Sequence, residues 1–518
     1  MDFGKIIKSL HLERLKPFLY DPPKRIKFTG LDVMNIIIIG ICSFWVRLWK
    51  FHYPPNVVFD EIHFGNFTNF YLKHEYFFDI HPPLAKFLFA IFASLSEYDA
   101  SIPFSKIFGK EYPSENYVPL RITPVMFSSL TPLCIYTAVR FVPFSRIAAF
   151  TSAMLFCFDT SAICEGRFIL TDGTLHFFVA LSMTLTNIWL SFPRDSKEYY
   201  IWQWIASFGL GCAFSVKYTA LSLCMVVGVT QLVDLLLDSN FEINAEMYSK
   251  LCVRALWIAG PAFSFHFLLW IIHVVNLPFI GWEYSDGDKP LLKLVNGSDP
   301  NCTDYSQVVR WPPIFARALS IVMSIQVSNA LNYQPHPYMS RPIDWPLLTD
   351  VWVGFWSENG HDINCVGNVF VYYIGFLGVL LMGAAFKKDH WIKAARFFMG
   401  YWFSYLPFFG VPRTMFLYHY LIPLMFACMC FGVCLDFWCS RSVKGFVCVI
   451  AISLAVFGYY EWSPLVYGTP TQNLYKRVWN RAWMHGRKGR EKFVKYMQSK
   501  YELVEKLEKT PTPKLRNK

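Results

Sequence analysis

A chain of 518 residues that is 54% hydrophobic, 19% aromatic and 16% charged falls outside the composition of soluble globular domains. The net charge of +11 is no nucleic-acid signature, because residues 475–518 carry 14 Lys/Arg against 4 Asp/Glu and leave the rest nearly neutral, and no nucleic-acid module is legible. Fourteen cysteines, mostly scattered through apolar runs, include no CxxC pair and no metal-like Cys/His grouping, so a structural zinc site is not expected.

In chain order, residues 1–30 are polar and basic, with Lys5, Lys8, Arg14, Lys16, Lys24, Arg25 and Lys27. They show no apolar core or cleavage site of a signal peptide and are expected on the cytosolic side. Eleven spans are expected, at about 31–50, 118–140, 146–164, 168–191, 201–216, 217–236, 255–276, 367–386, 395–410, 416–437 and 443–460, each apolar and near the roughly 20 residues a bilayer helix needs. The 81–95 segment is too short to cross and reads as an amphipathic juxtamembrane helix. Alternation then leaves Arg146, Lys387, Lys388, Arg441 and Lys444 cytosolic, in keeping with the positive-inside pattern. It exports the 51–117 loop, the 277–366 loop and the 461–518 tail, whose basic charge is the exception.

The fold class is therefore an all-α polytopic membrane protein: a 31–276 module of seven spans, an exported 277–366 loop, and a 367–460 module of four. Sequons Asn296-Gly-Ser298 and Asn301-Cys-Thr303 fall in the exported loop, where glycosylation requires them. Asn66-Phe-Thr68 lies so near an acidic pair that it is expected to stay unmodified. Cys302 and Cys365 share the exported loop, and pairing or remaining free are equal alternatives there.

Chemistry concentrates between Val58 and Lys86. Asp60, Glu61, Asp79, His63, His74 and His81 crowd a membrane boundary, where ionisable groups are costly to hold. Asp60 and Glu61 point in different directions and can take different roles; their apolar flanks favour a raised carboxyl suited to a base, and a solvated loop pair is the alternative. Pro82-Pro83 fixes an extended approach to a helix, with His81 either holding a phosphate or an acid, or serving as a cap. Lys86 is expected to snorkel. Arg121, Arg167 and Arg413 sit at exported ends of spans, either as interfacial anchors or as a bidentate phosphate grip. Asp172 is expected to pair with Arg167, and Lys217 is a weaker cationic candidate.

These segments resemble the protein O-mannosyltransferase family of GT-C glycosyltransferases. The likeness rests on FDEIHFG at 59–65, DIHPPLAK at 79–86, YVPLRITP around Arg121, GRFILTD at 166–172 and GCAFSVKYTAL at 211–221. It continues through SRPIDWPLL at 340–348, YLPFFGVPRTMFLYHYLIPL at 405–424 and SPLVYGTP at 463–470. The resemblance implies dolichyl phosphate mannose as donor, Ser/Thr hydroxyls of secretory proteins as acceptors, inversion at the sugar carbon, and no cofactor or metal. Carried onto this chain, Asp60 is the base with Glu61 its partner. Arg121, Arg413, Asp79, His81 and Arg167 serve the donor and its phosphate, and Asp172, Lys217 and His419 support them. It also implies an endoplasmic reticulum membrane enzyme with a lumenal site, as a homodimer or paired with a related subunit. The 277–366 loop is too short for the MIR domain that eukaryotic members carry there. Alternatives are another GT-C polyprenyl-phosphate-sugar transferase or a non-catalytic partner subunit; a transporter would need mid-span charge and inverted repeats.

Glycosylation mapping tests the topology. Residue 296 should be modified and a reporter sequon at 390 unmodified; the opposite pattern would invert the assignment.

Overall fold

The computed structural model describes residues 28–104, 111–194, 196–239, 241–280, 313–331, 334–388, 390–411, 413–470 and 474–485, with Lys495 and Ser499. Its helices are α1 (Gly30–Leu48), α2 (Glu61–Lys73), α3 (Leu84–Leu95), α4 (Val118–Phe141), α5 (Arg146–Cys157), α6 (Thr160–Glu165), α7 (Asp172–Trp189), α8 (Lys197–Phe214), α9 (Leu221–Asp238) and α10 (Ala245–Asn276). They continue with α11 (Pro313–Leu331), α12 (Val369–Ala384), α13 (Trp391–Tyr405), α14 (Leu421–Trp438), α15 (Arg441–Tyr467), α16 (Leu474–Arg477) and α17 (Ala482–His485). Strands β1 (Glu75–Tyr76) and β2 (Phe279–Ile280) pair in parallel, and β3 (Val353–Glu358) and β4 (His361–Cys365) form an antiparallel hairpin. All eleven expected spans coincide with helix. Among the described residues, seven segments are long and apolar enough to cross a membrane: Gly30–Leu48, Glu115–Phe141, Tyr218–Asp238, Ala245–Asn276, Val369–Lys387, Leu417–Trp438 and Arg441–Tyr467.

The centre of the bundle is α14, whose residues from Leu421 to Leu435 are all buried. Apolar side chains gain little by leaving lipid for protein, so such a helix is held by close packing. Small residues permit it: a Cβ on Gly378 of α12 would lie 2.5 Å from the Phe431 backbone, and one on Gly432 would lie 2.3 Å from the Ala148 carbonyl of α5. At the opposite end of α4 from the cavity described below, the buried Asp32 carboxylate of α1 accepts from Arg140 Nε (2.8 Å), Arg146 Nε (3.0 Å) and the Tyr136 hydroxyl (2.8 Å). One acid thus fastens α1 to α4 and α5.

In the packing of its elements the structure differs from the sequence reading at three places. The expected 146–164 span is broken after Cys157, where Asp159 caps α6: Oδ1 accepts from the Ala162 N–H (2.8 Å) and Oδ2 from the Asn368 N–H (3.1 Å). Asn368 Nδ2 in turn donates to the carbonyls of Phe158 (3.0 Å) and Ala455 (2.8 Å), so backbone freed by the break is satisfied by neighbouring elements. Within the 277–366 loop, α11 forms a long helix against α10 where no helix is expected. Lys86 does not snorkel; it is 1% exposed, its ammonium donating to Asp79 Oδ2 (2.5 Å) and the His81 carbonyl (2.7 Å). Asn66 has its amide occupied by the Ile62 (2.8 Å) and Phe104 (3.0 Å) carbonyls. Asn296, Asn301 and Cys302 lie outside the described residues, and Cys365 is a buried free thiol. The start of the tail folds back, with Trp483 Nε1 donating to the Leu348 carbonyl (2.6 Å), so α17 and the 345–352 segment share one face of the molecule.

Gly378→Val should lower the thermal midpoint in detergent by an overpacking cost of about 1–3 kcal/mol. Gly445→Ala, with nothing within 4 Å of the added carbon, should hold or raise it; equal effects of the two would contradict the packing argument.

Candidate active site

The segment before α2 is built around one ion pair. Glu61 and Arg121 are both fully buried. Arg121 Nε donates to Glu61 Oε1 (2.8 Å) and Nη2 to Oε2 (2.7 Å). The remaining guanidinium N–H groups reach the carbonyls of His52 (2.9 Å), Pro54 (2.7 Å) and Asn56 (2.9 Å). All five donors of the arginine are thereby occupied by protein. Glu61 is equally saturated: it also accepts from the N–H groups of Val58 (2.9 Å) and Ile169 (2.9 Å) and from the Tyr112 hydroxyl (3.1 Å).

Asp60 has the opposite environment. Phe59 before it adopts a left-handed backbone, φ 49°, sparsely populated for a side chain of this kind and sustained only by surrounding structure. That support is a stack on Phe355 (ring centroids 4.4 Å apart) and an N–H bond to the Phe355 carbonyl (3.2 Å). The turn places Asp60 at the start of α2 with no capping bond from its side chain and faces it into a cavity of 770 Å³. Burial pushes its carboxyl above the ordinary value, against the opposing pull of His63, Lys217 and His81.

Asp79, His81, Asp172, Lys217, Arg413 and His419 line the same cavity. Burial alone would raise Asp79, but Lys86 and then His81 outweigh it and hold the carboxyl well below the usual range; His81 Nδ1 lies 3.2 Å from Asp79 Oδ1. Burial depresses His81 below 6.5, leaving it neutral near neutral pH. Lys217 Nζ donates to Asp172 Oδ2 (2.6 Å) and keeps two further N–H donors. Arg413 Nη1 donates to Asn329 Oδ1 (2.5 Å), and its Nε has no partner. Lys217 and Arg413 are therefore cations with donors to offer an anion.

Three expected site residues are elsewhere. Glu61 and Arg121 form the saturated clamp and do not line the cavity. Arg167, fully buried, donates to the carbonyls of Val466 (2.7 Å), Trp49 (3.0 Å) and Lys50 (2.6 Å), tying α1 to the end of α15. Asp172 pairs with Lys217 and not with Arg167. Conversely, the sequence reading passed over Glu165 and His176, which line the cavity. A carboxylate at the end of the apolar 146–164 run was the available signal for Glu165.

The family model for dolichyl-phosphate-mannose-protein mannosyltransferase matches residues 37–280, and that for the C-terminal four-helix membrane region of protein O-mannosyltransferases matches residues 318–487. Among curated relatives, mannosyltransferase 4 of Schizosaccharomyces pombe is 34% identical over 39% of this chain and 26% of its own length. Mannosyltransferase 3 of Saccharomyces cerevisiae is 35% identical over 42% of this chain and 29% of its own. The chain thus covers between a quarter and a third of the length of these relatives. The fold is similar to a chain of the S. cerevisiae protein O-mannosyltransferase Pmt1–Pmt2 complex bound to the sugar donor, with a TM-score of 0.77, 17% identity, and coverage of 91% of this chain and 94% of that one. With two family models in register over four fifths of its length, this chain belongs to the protein O-mannosyltransferase family.

Proposed function

We propose that this chain transfers mannose from dolichyl phosphate mannose to Ser/Thr hydroxyls of secretory-pathway proteins, with inversion and without a metal or nucleotide sugar. The observation that carries this reading is the unpaired Asp60 carboxylate sharing one cavity with two cations that have donors to offer. Asp60 takes the acceptor hydroxyl proton as the oxygen attacks the anomeric carbon. The bond from that carbon to the phosphate oxygen breaks, and its electron pair leaves on dolichyl phosphate. Lys217 and Arg413 stabilise the charge that develops there. Asp79, locked by Lys86 and His81, is a fixed wall of the donor site, and His419 lines the same cavity. Glu61, Arg121 and Arg167 act by positioning.

In the cell, the reading places the enzyme in the endoplasmic reticulum membrane with the cavity facing the lumen. Pairing with a related subunit is supported by the yeast structure being a complex of Pmt1 with Pmt2.

Mannose transfer to a Ser/Thr-rich peptide tests the base. Because the Asp60 carboxyl is raised, the deprotonated form is lost as pH falls through a value above 3.8, so kcat/KM should drop on the acid side there. Asp60→Asn should lower kcat by about 10²–10⁴-fold and remove that limb; full activity would overturn the assignment. Lys217→Ala and Arg413→Ala should each lower kcat by about 10²-fold or more; Arg413→Ala should do so with the thermal midpoint nearly unchanged, whereas Lys217→Ala should also lower the midpoint because it leaves Asp172 without its partner. Folded variants that transfer mannose at the wild-type kcat would exclude them from the phosphate site.

A further inference from the structure

Glu165 is the second cavity carboxyl without a counter-ion, and the mechanism above does not use it. It is 1% exposed, lines the cavity, and its Oε1 has no hydrogen-bond partner. The other cavity acids differ: Asp79 is held by Lys86 and Asp172 by Lys217. Burying a polar atom without a partner is costly, and such an atom calls for a ligand that completes it. Its mounting is rigid. Asp159 caps the short helix that ends at Glu165, and the following Gly166 packs so closely that a Cβ there would lie 2.4 Å from Ser128 Oγ, which itself donates to the Gly166 carbonyl (3.0 Å).

Position identifies the ligand. Glu165 lines the same cavity as Lys217, on the phosphate side, and Asp60, the base. In an in-line displacement the acceptor oxygen, the anomeric carbon and the leaving phosphate oxygen are aligned, so the sugar ring occupies the space between base and phosphate. Resting on the mannosyl transfer proposed above, we infer that Glu165 is a donor-sugar-binding residue whose buried carboxyl hydrogen-bonds hydroxyls of the mannosyl ring. As the neutral acid, which a buried carboxyl without an ion-pair partner favours, it offers one O–H donor and one acceptor oxygen, the complement of a sugar hydroxyl. Glutamine keeps one acceptor and adds amide donors at nearly the same place; alanine keeps neither.

Binding to the purified full chain in detergent separates this from a structural role, with dolichyl phosphate and dolichyl phosphate mannose as the two probes. Wild type should hold the mannosyl form more tightly. Glu165→Ala should lose that increment, about tenfold in Kd for one hydrogen bond, while binding dolichyl phosphate as wild type does; Glu165→Gln should keep most of it. In the transfer assay, Glu165→Ala should raise the donor KM more than it lowers kcat. An alanine variant that retains the mannose-dependent increment overturns the inference, as does one that loses both probes alike. Wild type binding the two probes equally would instead remove the mannosyl-donor reading, and this inference with it.

Discussion

The Glu61–Arg121 pair is the constraint on which the site depends. A buried ion pair is weak grounds for net stability, yet removing one partner costs about 3–5 kcal/mol because the other charge is left uncompensated. Here the pair does more than neutralise itself. Through carbonyls of His52, Pro54 and Asn56 it fixes the loop after α1, and through the Ile169 and Val58 N–H groups it fixes the approach to α7 and the turn into α2. These are the segments that carry Asp60, Glu165 and Asp172 to one cavity. With every donor of Arg121 and both oxygens of Glu61 engaged, the neighbouring Asp60 is free of protein partners. Of two adjacent carboxylates, one is thus saturated by protein and the other is left to the cavity.

A second division runs through the cations. Arg121 and Arg167 face backbone carbonyls, a use of the guanidinium that fixes chain segments in low-dielectric surroundings where unsatisfied carbonyls are expensive. Lys217 and Arg413 face the cavity. Lys86 belongs to neither set, since its burial against Asp79 keeps an acid ionised at the cavity wall, and the Phe67 and Phe77 rings lie 5.5 and 5.7 Å from its ammonium. Basic residues thus occupy three different settings at one membrane boundary.

Much of this was legible before the structure. Each of the eleven apolar runs fell on helix, and the crowding of Asp60, Asp79 and His81 beside a span marked the site, because charge at a bilayer boundary is costly without a use. What residue type could not reveal was the direction each side chain takes. Arginine suits both phosphate and stacked carbonyls, so Arg121 and Arg413 looked alike until their partners were visible. The break at Asp159 was hidden because its compensation comes from Asn368, far away in sequence, and α11 was hidden in a loop whose helical segment follows a polar stretch. Glu165 was overlooked because its meaning comes from the absence of a partner, a property of packing.

The central claim is that Glu61 holds the site while Asp60 reacts in it. Measuring thermal midpoint, donor binding and mannose transfer for Asp60→Asn beside Glu61→Gln tests it most directly. The account predicts that Asp60→Asn keeps its midpoint and donor binding but loses transfer, whereas Glu61→Gln loses midpoint, binding and transfer together. A stable Glu61→Gln protein that binds donor normally and fails only in transfer, beside an active Asp60→Asn, would contradict it.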